Sequence, residues 1–143
     1  MRQLVIMRGL PGSGKSTRAK RYIAEMKPES SGIFSADDFF IDPDGVYRWN
    51  GAKLDKAHEW NNERIKAAVE QNTQIVIADN VHAFLYDMRA SIKIAEKHNY
   101  EVIYLKGDAP WALDPNECAK RSLHGISVAA VSNMMYGWHN LED

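Results

Sequence analysis

The eight residues Gly9-Leu10-Pro11-Gly12-Ser13-Gly14-Lys15-Ser16 limit the possible folds more than any other stretch of this chain. They satisfy the pattern G-x-x-x-x-G-K-[ST] at every fixed position. The apolar run Leu4-Val5-Ile6-Met7 precedes them and predicts a buried strand. Helical spacing follows from about Lys15 to Met26, through Ala19 and Tyr22 or Ile23. A strand, a glycine loop and a helix in that order turn successive backbone N–H groups and the positive helix end toward one point, where they suit phosphate oxygens. A glycine-rich turn that merely joins strand to helix is the plain alternative. A dinucleotide fingerprint is excluded, because Thr17 stands where its third glycine would be.

The rest of the chain repeats the alternation. Gly32-Ile33-Phe34-Ser35, Ile75-Val76-Ile77-Ala78 and Val102-Ile103-Tyr104-Leu105 predict three further strands. Between them, helices are predicted from about Lys53 to Gln71 and along Leu85, Met88, Ile92 and Ala95. A short helix is expected around Glu117–Arg121. A longer one starts at Ser127, a good N-cap, with a stripe of Val128, Val131, Met135 and Trp138. Strands separated by helices cannot pair as hairpins, so an α/β fold with a parallel sheet of about four to five strands is expected. Ligands of such sheets bind beyond the carboxyl ends of the strands. The segments Gly9–Ser16, Asp37-Asp38, Asp79–His82 and Lys106–Trp111 therefore become the candidates.

Size and charge narrow the function classes. A chain of 143 residues predicts one domain, 1–143, with room for a core. One cysteine, Cys118, precludes an internal disulfide and suits a reducing, cytoplasmic setting. No apolar run approaches the ~18–20 residues that span a bilayer. A net charge of -1 argues against a generally basic nucleic-acid binder. Basic residues nevertheless gather at Arg8, Lys15, Arg18, Lys20 and Arg21, so a local positive cleft is expected.

Each candidate has its chemistry. Gly12, Ser13, Gly14, Lys15, Ser16 and Thr17 would bind nucleotide phosphates, with Lys15 as a mobile charge for the β and γ groups. The Ser16 hydroxyl would ligate Mg²⁺. Asp79 at a strand end would hold the same metal, or cap the next helix. A carboxylate at Asp37-Asp38 can accept the proton of an attacking hydroxyl or help hold the metal, with Asp37 the catalytic and Asp38 the metal candidate. Two neighbours in an extended segment cannot both point into the site, so one is expected to be catalytic and the other to cap a turn. Both can also be plain turn formers. If the sheet is wound as usual, they lie beside the phosphate loop. Arg121 can stabilise transition-state charge from a loop over the phosphates, or simply end a helix. Asn61 falls on the apolar stripe of its helix and reads as a hydrogen-bonded packing residue. Tyr47, Trp49, Trp60 and Trp111 can stack on bases or pack.

The order of these motifs resembles the kinase domain of phage-type polynucleotide kinase and related small stand-alone kinase-like modules. The resemblance rests on Gly9–Ser16, Asp37-Asp38, Asp79-Asn80, Asp108-Ala109-Pro110-Trp111 and Lys120-Arg121, and covers nearly the whole chain. Ala57-His58-Glu59-Trp60-Asn61 and Arg121…His124-Gly125-Ile126-Ser127 look especially like the latter modules. It implies a P-loop NTPase fold with a helical lid near the C-terminus. It also implies transfer of the γ-phosphate of ATP, with Mg²⁺, to a hydroxyl, typically a 5′-hydroxyl end of DNA or RNA. By position it implies Lys15 for phosphates, Ser16 for Mg²⁺, Asp37 as general base and Arg121 as lid arginine. Phe40 stands where the phage enzymes have an arginine, and Asn80-Val81-His82 where they have Asp-Thr-Asn. A small-molecule kinase for a nucleoside, sugar or antibiotic, and a nucleotide-switched binding module, remain the competing expectations.

Overall fold

The computed structural model describes residues 1–82, 85–121 and 127–134. Four strands form one parallel sheet: β1 (Gln3–Arg8), β2 (Ser31–Phe34), β3 (Ile75–Asp79) and β4 (Glu101–Lys106). Their spatial order is β2-β3-β1-β4. The central strands β1 and β3 are buried almost throughout, as continuous Val/Ile/Leu runs require when helices cover both faces. Helices α1 (Lys15–Met26), α2 (Leu54–Glu70), α3 (Leu85–Lys97) and α4 (Pro115–Arg121) connect or follow the strands. The result is the α/β P-loop fold expected from the sequence.

Two apolar layers sandwich the sheet. On one face Leu4, Val76, Ala78 and Tyr100 pack with Ile65, Ala68 and Val69 of α2 and Ala95 of α3. On the other, Val5, Met7, Ile75 and Ile77 pack on Ala19 of α1. Alternate strand residues thus serve opposite faces. The stripe of α1 ends one turn earlier than its spacing predicts, because Met26 is exposed at the last residue of the helix. Val128 is likewise exposed, whereas Val131 is fully buried.

A third, smaller core lies under the glycine loop. Leu10, Cys118 and Val131 are buried there, with Trp111, Ala119 and Met134 around them. Helical backbone over 128–134 is capped by Ser127, whose Oγ accepts from Ala130 N at 3.2 Å. The expected lid loop and the motif around His124 fall at 122–126, and Met135 and Trp138 fall beyond 134; both stretches lie outside the described residues.

Register explains how the site assembles. Met7 of β1 pairs with Asp79 of β3, and Arg8 with Lys106 of β4. Three chain segments therefore leave the sheet at one level, and the glycine loop leaves between the other two. Strand β2 lies beyond β3, its Phe34 paired with Ala78. The turn that carries Asp37 and Asp38 thus approaches the loop across β3 and not from a strand beside β1.

Candidate active site

The loop 9–14 is built to receive an anion. Gly12 and Gly14 have φ of +76° and +92°, which L side chains rarely adopt. A Cβ at Gly12 would also come within 2.7 Å of the Cys118 carbonyl oxygen. Gly14 caps α1 without a side chain, and no acidic residue sits in the first turn. The N–H groups at the start of α1 are therefore left for a ligand. Behind the loop, Ala109 N donates to Ser13 O at 3.1 Å and Trp111 Nε1 to Gly12 O at 2.7 Å. These bonds tie the loop to the segment that follows β4. Trp111, read from sequence as a stacking or packing residue, thus holds the loop through its indole N–H.

Lys15 Nζ donates to Leu10 O at 3.2 Å, a bond that folds the side chain back over its own loop. Burial lowers the Lys15 pKa from its ordinary value, while the negative charges of Asp79 and Asp37 oppose that shift. Lys15 is thus within electrostatic reach of one carboxylate at a strand end, Asp79, and of one in the segment after β2, Asp37. Ser16 Oγ donates to Asp79 Oδ2 at 2.7 Å. Asp79 is buried, 6% exposed, at the end of β3, and its oxygen is taken by Ser16. A hydroxyl and a carboxylate oxygen side by side are hard donors that fit Mg²⁺, with phosphate and water completing its shell. Among the described residues no group of three or more His, Cys, Asp and Glu forms a separate cage.

Asp37 and Asp38 lie in a 3₁₀ turn, Ala36–Phe40, not in extended chain. Ser35 Oγ caps it by accepting from Asp37 N at 3.2 Å, and Asn80 Oδ1 accepts from Ala36 N at 3.0 Å. The tight turn points the two carboxylates in different directions. Asp37 lies within electrostatic reach of Lys15 and of Tyr47, whose phenol is pushed above its ordinary pKa by burial and then by the Asp37 charge. Asp38, expected as a metal ligand, pairs through Oδ2 with Arg64 of α2 at 3.2 Å. Its oxygen is engaged by a guanidinium, and the structure brings Ser16 and Asp79 together without it.

Arg121 closes α4 against the loop. Its guanidinium stacks 3.6 Å from the Trp111 ring centroid, and its Nε meets Glu117 Oε1 at 3.0 Å. Three of the residues expected to form a positive cleft have partners of their own. Arg8 Nε donates to His82 O at 3.0 Å, and Arg18 and Arg21 converge on Asp108. Thr17 is exposed on α1.

Tyr47, read from sequence as a stacking or packing residue, and His82, which had no assigned role, both lie close to the site. Tyr47 bridges to Ile41 in antiparallel fashion, which folds the loop after the 3₁₀ turn back toward Asp37. His82 is 5% exposed with φ of +49°, and its Nδ1 lies 2.5 Å from Met7 O. Burial lowers its pKa to about 4. Only its place at a strand end hinted at it. Phe40, at the position of the phage arginine, is buried against Ala36 and Ala57. Beyond the turn a cleft of about 600 Å³ is lined by Phe39, Trp49, Arg48, Asn50 and Lys53.

A sequence model described as an AAA domain matches residues 4–135. Human NEDD4-binding protein 2 is 39% identical over 132 residues, which is 92% of this chain and 7% of that protein. Rat 2',3'-cyclic-nucleotide 3'-phosphodiesterase is 25% identical over 136 residues, 94% of this chain and 30% of that one. A chain in the structure of the Pnkp1/Rnl/Hen1 RNA repair complex superposes with a TM-score of 0.72 at 18% identity, over 99% of this chain and 45% of its own. That last likeness is one of fold. The chain spans less than half the length of each of these relatives.

Proposed function

The chain belongs to the AAA domain family, and from that membership we propose that it is an ATP- and Mg²⁺-dependent kinase acting on a hydroxyl, with a polynucleotide 5′ end, DNA or RNA, as acceptor. The observation that carries the reading is the grouping of Lys15, Ser16, Asp79 and Asp37 beyond three adjacent strands. Three of the four, Lys15, Ser16 and Asp79, suit the nucleotide and Mg²⁺ binding common to NTPases of this fold; a carboxylate within electrostatic reach of the lysine from a separate turn, Asp37, is what phosphoryl transfer to a hydroxyl needs in addition.

The loop N–H groups and Lys15 hold the β and γ phosphates. Ser16 and Asp79 would hold Mg²⁺, whose chemistry there is to neutralise charge on the phosphate oxygens. Asp37 orients the acceptor hydroxyl in line with the γ-phosphorus and takes its proton as the new P–O bond forms and the bond to the β–γ bridging oxygen breaks, which releases ADP. Arg121, at the end of α4 beside Gly12, is the arginine that adds positive charge above the phosphates. The cleft beyond Asp37 supports a nucleic-acid end as acceptor. Trp49 is 43% exposed there, beside Lys53 and an Arg48 that pairs with Asp42 of the same cleft, and a ring with a cation beside it suits a base and its phosphate. No helix among the described residues is long and apolar enough to cross a membrane.

The test is incubation with γ-labelled ATP, Mg²⁺ and a panel of 5′-hydroxyl DNA, 5′-hydroxyl RNA, nucleosides and sugars. Label on the oligonucleotides is the expected result. Label on small molecules alone would make the protein a small-molecule kinase. ATP binding with no transfer would make it a nucleotide-switched binding module.

A further inference from the structure

Helix α2 grips the turn that carries Asp37. Asn61, fully buried, donates Nδ2 to Phe34 O at 3.1 Å, at the end of β2. One turn further along α2, Arg64 reaches Asp38 Oδ2 at 3.2 Å. The guanidinium does not hang free: it lies 4.2 Å from the Trp60 ring centroid and 5.1 Å from that of Phe34. Trp60 in turn meets Phe39 edge-on, 5.6 Å between centroids. Arginine suits this place because a planar cation can stack on rings and present N–H groups at its edge. Asp37 therefore sits between two points anchored to one helix, Phe34 behind it and Asp38 ahead of it.

We infer that Arg64 is a positioning residue for Asp37: it clamps Asp38 so that the 3₁₀ turn holds the neighbouring carboxylate toward the phosphate loop. This rests on the kinase reading with Asp37 as base. The pair is partly exposed, 26% and 43% for the two side chains, and pairs of that kind add little to stability. Orientation is another matter. A shift of about 1 Å in a reacting group can cost roughly 10²-fold in rate. The pair therefore counts more for the rate of transfer than for the fold. It also accounts for the direction of Asp38, whose Oδ2 meets Arg64.

The experiment measures transfer, melting temperature and amide exchange in Arg64→Met, Arg64→Lys, Asp38→Asn and the double variant R64M/D38N. Arg64→Met should lower kcat by about ten- to a hundredfold, with KM for ATP within about twofold of wild type and little change in melting temperature. Arg64→Lys should recover part of the loss, since it keeps the charge but not the stacked, forked geometry. The double variant should be no slower than the slower single, because both remove one contact. A kcat within about twofold of wild type in Arg64→Met overturns the proposal, as do losses that multiply in the double variant. If Arg64→Met does not fold, Asp38→Asn decides alone: a fall in kcat supports the clamp, and an unchanged kcat overturns it. If the wild-type protein transfers phosphate to no acceptor, the kinase reading falls and the clamp is judged by exchange. Faster exchange at 36–40 in Arg64→Met, with β3 unchanged, then supports it; unchanged exchange at 36–40 overturns it.

Discussion

Ser16 Oγ and Asp79 Oδ2 lie 2.7 Å apart although 63 positions separate them in the chain. The contact follows from the parallel pairing of β1 with β3, which sets Met7 opposite Asp79 just before the glycine loop begins. The loop then needs only one tight reversal to bring the first turn of α1 back over the end of β3. Local glycine geometry and a long-range strand pairing meet in that one hydrogen bond, and together they make two hard oxygen donors available beside a row of N–H groups.

Replacing Ser16 by alanine removes one of those oxygens. Transfer should fall about tenfold or more and should need more Mg²⁺ for half-maximal rate. A titration of rate against Mg²⁺ concentration checks this. A curve that superimposes on the wild-type one would remove Ser16 from the metal site.

Lys15 should show a trade between stability and binding. Burial disfavours its ammonium, as its lowered pKa indicates, and Asp79, Asp37 and the Leu10 carbonyl offset that cost only in part until phosphate arrives. Lys15→Met should therefore melt at the same temperature as the free wild-type protein or above it. It should lose the rise in melting temperature that Mg·ATP gives to the wild type. Thermal melts with and without nucleotide separate the two effects. A variant that still gains stability from ATP would refute the phosphate role.

Asp37→Asn keeps the shape of the turn and removes the base. Affinity for ATP should remain, while transfer to the hydroxyl falls by roughly 10²–10⁴-fold. Single-turnover rates at saturating ATP and acceptor measure the loss. Near-normal turnover would take Asp37 out of the proton-transfer step.

These residues were not equally legible in the sequence. Gly9–Ser16 and the buried runs of β1 and β3 could be read directly, because a glycine loop and a continuous apolar strand are local signals. Helix α1 was legible to the residue at both ends. The partners of Asp38 and Tyr47 were not. Arg64 lies 26 positions from Asp38, and the pair exists only because α2 packs on the 3₁₀ turn. Tyr47 approaches Asp37 through the loop reversal at Ile41. Trp111 was visible as an aromatic, but its bond to Gly12 O depends on β4 lying beside β1. Non-local pairing decides such contacts, and spacing along the chain carries no signal for it.

His82 should make stability depend on pH. It is buried in the left-handed region, with Nδ1 at 2.5 Å from Met7 O. Its pKa is lowered from 6.5 to about 4, chiefly by burial; the Met7 carbonyl and Asp87 oppose the shift, while Lys15 and His58 add to it. The unfolded chain takes up a proton below about 6.5, whereas the folded one stays neutral down to about 4. Folding is therefore favoured fully above that window, and its free energy declines as pH falls through it. The decline is about 3–4 kcal/mol at most, from roughly 1.4 kcal/mol per pKa unit. His82→Asn is the informative variant, because asparagine tolerates a positive φ and its amide can still donate to Met7 O. Urea midpoints for both proteins at pH 7, 6 and 5 give the comparison. The wild type should lose stability toward pH 5 faster than the variant does, since carboxylates elsewhere affect both alike. Parallel profiles would mean that the acid sensitivity arises at other groups.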